Sequence, residues 1–199
     1  MPDESTTGER TPEGAVPEPH ALSLPVLSLP VLSLPVMGDA EASTGSEGPV
    51  RQGLPGGYAI TDDPAAVDLD AVHAFLTASY WSPGIDRGRV ARAAAGSLCA
   101  TLVAPGGALV GFARAVTDRA SFAYLADVFV LDGHTGRGFG RALTRFLLDH
   151  PDTQTVRRWM LATRDAHGVY TALGFAPLAD PSVFLELRPS GGQFTGADA

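Results

Sequence analysis

The stretch LDGHTGRGFGRAL, residues 131–143, decides how this chain is read. A run dense in aromatic and β-branched residues leads into it (SFAYLADVFVL, 121–131) and reads as a long strand. Residues 139–148 leave it as a helix, with Ala142, Leu143, Phe146 and Leu147 on one face. Between strand and helix, Gly136, Gly138 and Gly140 alternate, so a ligand can approach the backbone without meeting side chains. The first turn of a helix has N–H groups without intrahelical partners and a partial positive charge, and a phosphate is the natural occupant of such an end. Arg137, Arg141 and Arg145 fall four apart and are expected on one helix face. Cations there oppose the helix dipole by roughly 0.3–1 kcal/mol each when exposed, which an anion between them and the amides offsets. The competing reading is a solvated face in a chain that places arginine where others place lysine.

Two phosphate-binding frames can be checked against the stretch. A P-loop ends in Gly-Lys-Ser/Thr, whereas Gly140-Arg141-Ala142 stands here. A dinucleotide fingerprint needs a third glycine at Arg141 and a tight turn directly after the strand, and several residues intervene after Val130.

Outward from the loop, the pattern predicts further elements. Residues 58–60 read as a short strand, 65–80 as an amphipathic helix and 85–95 as an arginine- and alanine-rich helix. Residues 97–104 and 109–117 read as strands joined by a Pro105-Gly106-Gly107 turn. After the central helix come a strand at 158–163, a short helix at 166–173 and a last strand at 182–188. The order β-α-α-β-β-β-α-β-α-β predicts a mixed α/β fold with α+β-type layers, hairpins first and a βαβ crossover second.

Residues 1–53 differ from the rest and are expected to form a disordered tail, with the globular domain at 54–199. The tail is rich in Pro, Gly, Ser, Thr and Glu, and buries too little apolar surface to offset its ordering entropy. It holds Leu-Ser-Leu-Pro-Val three times without a break, at 22–36. Proline at every fifth position breaks a helix, and no basic region precedes the repeat, so neither a membrane span nor a signal peptide is expected. Met37 directly follows the repeat and is a candidate for the true start, to be checked by intact mass.

The whole chain has 199 residues, 14 basic and 22 acidic side chains and a net charge of −8. All the basic residues are arginine, and most of the excess acidity lies in the tail. That balance argues against nucleic-acid binding, which rests on neutralising phosphates. The one cysteine, Cys99, excludes an intramolecular disulfide and a cysteine-rich zinc site, so a cytoplasmic protein without metal is expected. His73 and His150 have no partner pattern for a metal.

On these residues the chain resembles the GNAT acetyltransferase superfamily. Thr135-Gly136-Arg137-Gly138-Phe139-Gly140 occupies the frame of that family's Arg/Gln-x-x-Gly-x-Gly/Ala signature. Val128-Phe129-Val130 matches the strand before it, and Tyr170-Thr171-Ala172-Leu173-Gly174-Phe175 matches a Tyr-x-x-x-Gly-Phe element. The resemblance covers about residues 57–188. It implies a GNAT-like fold, with a mostly antiparallel central sheet and helices on both faces. It also implies acetyl-CoA as co-substrate: the backbone of Val128, Phe129 and Val130 along the pantetheine arm, and the amides of Gly136, Arg137, Gly138, Phe139, Gly140 and Arg141 on the pyrophosphate. Thr135 departs from the signature, where Arg or Gln is usual. Weakened binding is expected there, with Arg137 or Arg141 compensating.

The chemistry this implies makes demands on side chains. An amine attacks the thioester, an N–H near Val128 steadies the oxyanion, and the departing thiolate needs a proton. Tyr170 can give one, because a phenol is protonated at neutral pH; its competing role is a core aromatic. Candidate bases are Asp127, His167 and Asp165, with water relay as the alternative. Asp127 stands in an otherwise apolar strand, where its rival role is a partner for an arginine such as Arg114. His167 lies three before Tyr170. Tyr80, Trp81, Tyr124, Arg164 and Asp165 are candidates for the acceptor pocket. Three functions are weighed: an N-acetyltransferase acting on a primary amine of a small molecule or peptide, an acyl-CoA-binding sensor of the same fold without catalysis, and an interaction protein built on the tail. The sequence does not give the oligomeric state; dimers are frequent among the proteins it resembles, which makes a homodimer a candidate assembly, and neither nucleic acid nor membrane is an expected partner.

Overall fold

The computed structural model describes residues 48–187, so the repeat at 22–36 and Met37 lie outside the described residues. Six strands form one sheet in chain order: β1 (Arg51–Gly53), β2 (Ala59–Thr61), β3 (Leu98–Val103), β4 (Leu109–Thr117), β5 (Phe122–Val130) and β6 (Arg158–Met160). Neighbours from β1 to β5 run antiparallel, and β5 and β6 run parallel. The parallel pair requires a crossover, which α3 (Phe139–Leu148) supplies. β1 lies within the stretch expected to be tail, so the sheet starts upstream of residue 54.

The helices divide between the faces. α3 buries Phe139, Leu143, Phe146 and Leu147 against Ile60, Ala100, Leu102 and Leu125. α1 (Leu69–Ala78) and α2 (Arg87–Ala95) cover the other face, where Val72, Leu76 and Val90 meet Cys99, Phe112 and Phe129. β3 is buried along all six residues because helices cover both its faces. α1 begins four residues later than expected. Asp68 accepts hydrogen bonds from the N–H groups of Asp70 and Ala71 and fixes the start there, while Pro64–Ala66 forms a separate turn capped by Asp63.

Two C-terminal expectations change. β6 stops at Met160, because β5 and β6 separate beyond it. The strand expected at 182–188 is absent over 182–187: Pro181–Val183 is a turn and residues 184–187 join no ladder. The apolar residues of its sequence pattern are left uncovered: Val183, Leu185 and Leu187 are 68%, 98% and 88% exposed. A strand needs a partner as well as a pattern, and the sheet ends at the three residues of β6.

Candidate active site

β5 and β6 pair over Phe122↔Arg158, Ala123↔Trp159 and Tyr124↔Met160, then part. A cleft of about 540 Å³ opens at the fork. Residues 124–128 of β5 form one wall and residues 161–166 the other, with Tyr170 of α4 (His167–Thr171), Tyr80, Trp81 and Arg114 completing it. The fold therefore gathers Tyr80, Trp81, Tyr124, Asp127, Val128, Arg164, Asp165 and Tyr170 around one space. His167 is not among the lining residues and is exposed at the start of α4.

The wall on β5 is bent by a bulge. Phe112 pairs with Phe129 and Arg114 with Ala126, so Ala113 alone faces both Asp127 and Val128. Asp127 takes the extra residue's strain, with φ of 53°, a left-handed conformation that aspartate tolerates better than most side chains. The bulge inverts the alternation of side chains. Leu125 faces α3 before it, whereas Phe129 faces α1 and α2 after it, leaving Val128 and Val130 on the α3 side. Asp127 turns toward α1, where its Oδ2 accepts from Arg114 Nε at 2.6 Å and its Oδ1 from Trp81 Nε1 at 3.2 Å. The pair with Arg114, the rival to a base role, is thus present, with side chains 17% and 10% exposed. Arg114 also donates to Ser97 Oγ at 3.2 Å, and Ser97 donates to the carbonyl of Ala93 at the end of α2.

Tyr170 stands where both roles weighed for it would place it. Its ring packs against the α3-side core and edge-on to Phe175 at 5.9 Å, and its side chain lines the cleft. Burial pushes the phenol above its ordinary value, and neighbouring Tyr80 and Asp165 add to the rise. The phenol stays protonated at neutral pH and can donate. At the mouth, the Arg164 guanidinium sits 3.8 Å from the centre of the Tyr80 ring, and the Tyr80 hydroxyl donates to Asp165 Oδ1 at 3.4 Å. Trp81 meets Tyr80 edge-on at 4.9 Å, and Phe75, which contacts Trp81 at 6.0 Å, stacks on Phe129 at 3.9 Å. The dipeptide Tyr80-Trp81 therefore spans the fork, tied to both lips.

At its far end β5 runs into the glycine loop. Gly136 and Gly138 have φ of 74° and 77°, so the loop needs glycine there for its turns, while a Cβ at either would meet open space. Gly138 caps α3 without a side chain, so the first-turn amides receive no side-chain cap. Arg137 precedes the helix, so the expected stripe shrinks to Arg141 and Arg145 on α3, the latter 3.8 Å from Asp149. Arg137 instead reaches Tyr58, donating to its hydroxyl at 3.3 Å and lying 5.8 Å from its ring centre. The same hydroxyl is 3.0 Å from His134 Nδ1, and the Tyr58 ring lies 4.7 Å from Phe139. Thr135 is exposed. Nothing in the sequence pairs Tyr58 with a loop residue 76 positions away.

The remaining candidates are structural. His150 Nε2 bonds Asp62 Oδ2 at 2.8 Å, and His73 Nε2 bonds the carbonyl of Ile85 at 3.0 Å. Among the described residues no group of three or more His, Cys, Asp or Glu could hold a metal. None of their helices is long and apolar enough to cross a membrane.

This arrangement matches known proteins. The profile of the Acetyltransferase (GNAT) family matches residues 66–175. A solved structure from Xanthomonas campestris pv. campestris, whose name assigns it to the GNAT family, is 40% identical, with a TM-score of 0.65 over 69% of this chain and 97% of that one. A Gibberella zeae protein with an acetyltransferase name is 28% identical over 130 residues, 55% of this chain and 73% of its own length. A Deinococcus radiodurans structure, also with an acetyltransferase name, shares the fold at 19% identity, with a TM-score of 0.53 over 68% of this chain and 92% of that one. The family profile spans more than half of the sequence, including the forked strands, the glycine loop and Tyr170, and the chain belongs to the GNAT family of acetyltransferases.

Proposed function

We propose that the chain transfers an acetyl group from acetyl-CoA to a primary amine of a small molecule or peptide, in the cytoplasm, by direct attack. The observation that carries this reading is the placement of the Tyr170 phenol in a cleft along β5, the strand whose far end enters the glycine loop. Beyond Tyr124 the cleft side of β5 is unpaired with β6, so Val128, Phe129 and Val130 can pair with the pantetheine amides as an added strand would. The amides of residues 136–141 take the pyrophosphate.

In the transfer, the amine lone pair forms a bond to the thioester carbon, and the Val128 N–H stabilises the charge developing on its oxygen. The C–S bond breaks, and Tyr170 gives its proton to the thiolate. The phenolate then regains its proton, through water, from the attacking nitrogen, which sheds one N–H proton as the amide forms. An alkyl ammonium, with a pKa near about 10, must first be deprotonated. Water at the open mouth beside exposed Asp165 takes that proton.

Calorimetry of the full chain with acetyl-CoA, ADP, 3′-dephospho-CoA and NAD tests the co-substrate, and thiol release with a panel of primary amines tests the transfer. No binding at millimolar acetyl-CoA would remove the reading. Thr135, where the family signature carries Arg or Gln, favours a second reading, an acyl-CoA sensor without catalysis. Tyr170→Phe separates the two: an enzyme loses turnover and keeps acetyl-CoA affinity. A second copy is the proposed partner for exposed Val183, Leu185 and Leu187, and the acidic balance argues against nucleic acid.

A further inference from the structure

We propose that Asp127 is a positioning residue and not the base: its carboxylate holds the β5 bulge and the Tyr80-Trp81 loop in one arrangement. The proposal rests on the cleft being the site of acetyl transfer. Three observations carry it. The left-handed backbone of Asp127 is what inserts the extra residue and re-aims the strand at Val128. Both carboxylate oxygens are engaged, by Arg114 from β4 at 2.6 Å and by Trp81 from the loop after α1 at 3.2 Å. Through Ser97, Arg114 extends the same chain of bonds to the end of α2. One carboxylate therefore fastens both helices of one face to the strand that forms the cleft wall. A base at this position would have to give up an ion pair that is mostly buried in order to work.

A neutral bridge of the same shape separates the two roles. Asp127→Asn keeps a residue that tolerates the left-handed backbone, but its amide presents one acceptor and one donor to two donors. Either Arg114 or Trp81 then faces an N–H. Asp127→Asn combined with Arg114→Gln repairs the mismatch. The glutamine Cδ matches the arginine Cδ, so its Oε1 can stand where the Arg114 Nε stood and accept from the asparagine N–H, while the asparagine oxygen accepts from Trp81. No carboxylate remains in the double variant.

The single variant is expected to lose about tenfold to a hundredfold in kcat/KM, the scale of leaving a buried donor unsatisfied. The double variant is expected to regain at least about tenfold over the single, with a pH profile of the same shape as the wild type. A double variant as inactive as the single, both down by about 10² to 10⁴, would mean that the carboxylate itself moves a proton and would overturn the proposal.

A structural readout stands apart from turnover. The Trp81 indole ¹H–¹⁵N resonance, assigned with Trp159→Phe, and the unfolding midpoint should shift in the single variant and return in the double. Absence of turnover in the wild type would count against acetyl transfer, and these two signals would still decide the role of Asp127. An indole resonance unmoved by Asp127→Asn would refute it.

Discussion

Removing one oxygen atom from Tyr58 should weaken acetyl-CoA binding without touching any group that contacts it. Tyr58→Phe keeps the ring, and with it the contact to Phe139 at 4.7 Å and the face offered to Arg137. It deletes two bonds to the glycine loop, one to His134 at 3.0 Å and one from Arg137 at 3.3 Å. A typical net hydrogen bond contributes about 0.5–1.5 kcal/mol, and the second is long and exposed, so the pair is worth about 1–2 kcal/mol. If the binding-competent loop is populated less by that amount, the apparent Kd rises about fivefold to thirtyfold. Calorimetry with acetyl-CoA reads the change, and ADP should lose the same factor if, as proposed, the loop takes the pyrophosphate. A Kd within twofold of the wild type would refute the anchoring role. Tighter binding would refute it in the opposite sense, by showing that Tyr58 withholds Arg137 from the phosphates.

Tyr170→Phe should lower kcat by about 10² or more with little change in acetyl-CoA Kd, measured by thiol release and calorimetry. Because the folded phenol lies above its ordinary value, wild-type activity should not fall on the alkaline side until pH passes about 10. Cys99 is buried and its thiol is pushed up to about 11, so about one molecule in a thousand is thiolate at pH 8, against about a quarter for a free cysteine. Alkylation followed by mass spectrometry should therefore run at least about a hundredfold slower than in the unfolded chain, and a comparable rate would contradict the burial of β3. Asp118 accepts from the N–H groups of Ala120, Ser121 and Phe122 and from the Ser121 hydroxyl, which holds its carboxyl well below the usual range. Its contribution is present above the unfolded value of about 4 and is lost only as pH falls through the lower folded value. Faster amide exchange at Ala120, Ser121 and Phe122 in Asp118→Ala should show it at neutral pH. If a second copy covers Leu185 and Leu187, as proposed, the wild type sediments as a dimer and Leu185→Ser with Leu187→Ser as a monomer; a monomeric wild type, or an unchanged dimer in the variant, would refute that interface.

The parts of this molecule legible in sequence are those fixed by local pattern. β4 and α3 occupy the residues that alternation and helical spacing assign to them, and β5 differs by one residue at each end. Tyr80, Trp81, Tyr124, Arg164 and Asp165, the candidates for the acceptor pocket, all line one cleft. What escaped the sequence depends on pairing across long separations. The Tyr58–His134 contact joins residues 76 apart, and the fork between β5 and β6 is a property of two strands together. The strand expected at 182–188 failed for the same reason, since its pattern names a face to bury but no neighbour to bury it. His167 shares α4 with Tyr170 but, at the exposed start of the helix, is not among the residues that line the cleft.

β5 shows why the site sits where it does. At Ala123 and Tyr124 the strand has neighbours on both sides, β4 and β6, and behaves as sheet. Past Tyr124 it keeps only β4, which frees a backbone edge, and the bulge at Asp127 then re-aims that edge. Beyond Val130 the chain departs from strand geometry again, through left-handed Gly133, Gly136 and Gly138, to present the amides that open α3. Each departure costs conformational energy, of order 1–2 kcal/mol for the left-handed aspartate. Nothing in the packing of the sheet requires either one: an unbroken β5 would pair with β4 throughout and alternate without inversion. The compensation for the first is a carboxylate whose two oxygens gather Arg114 and Trp81. The compensation for the second is the Tyr58 hydroxyl, which gathers His134 and Arg137. Along this one path of chain, two departures from strand geometry are thus each braced by polar partners drawn from outside it, which is the pattern expected where backbone groups, rather than side chains, must meet a ligand.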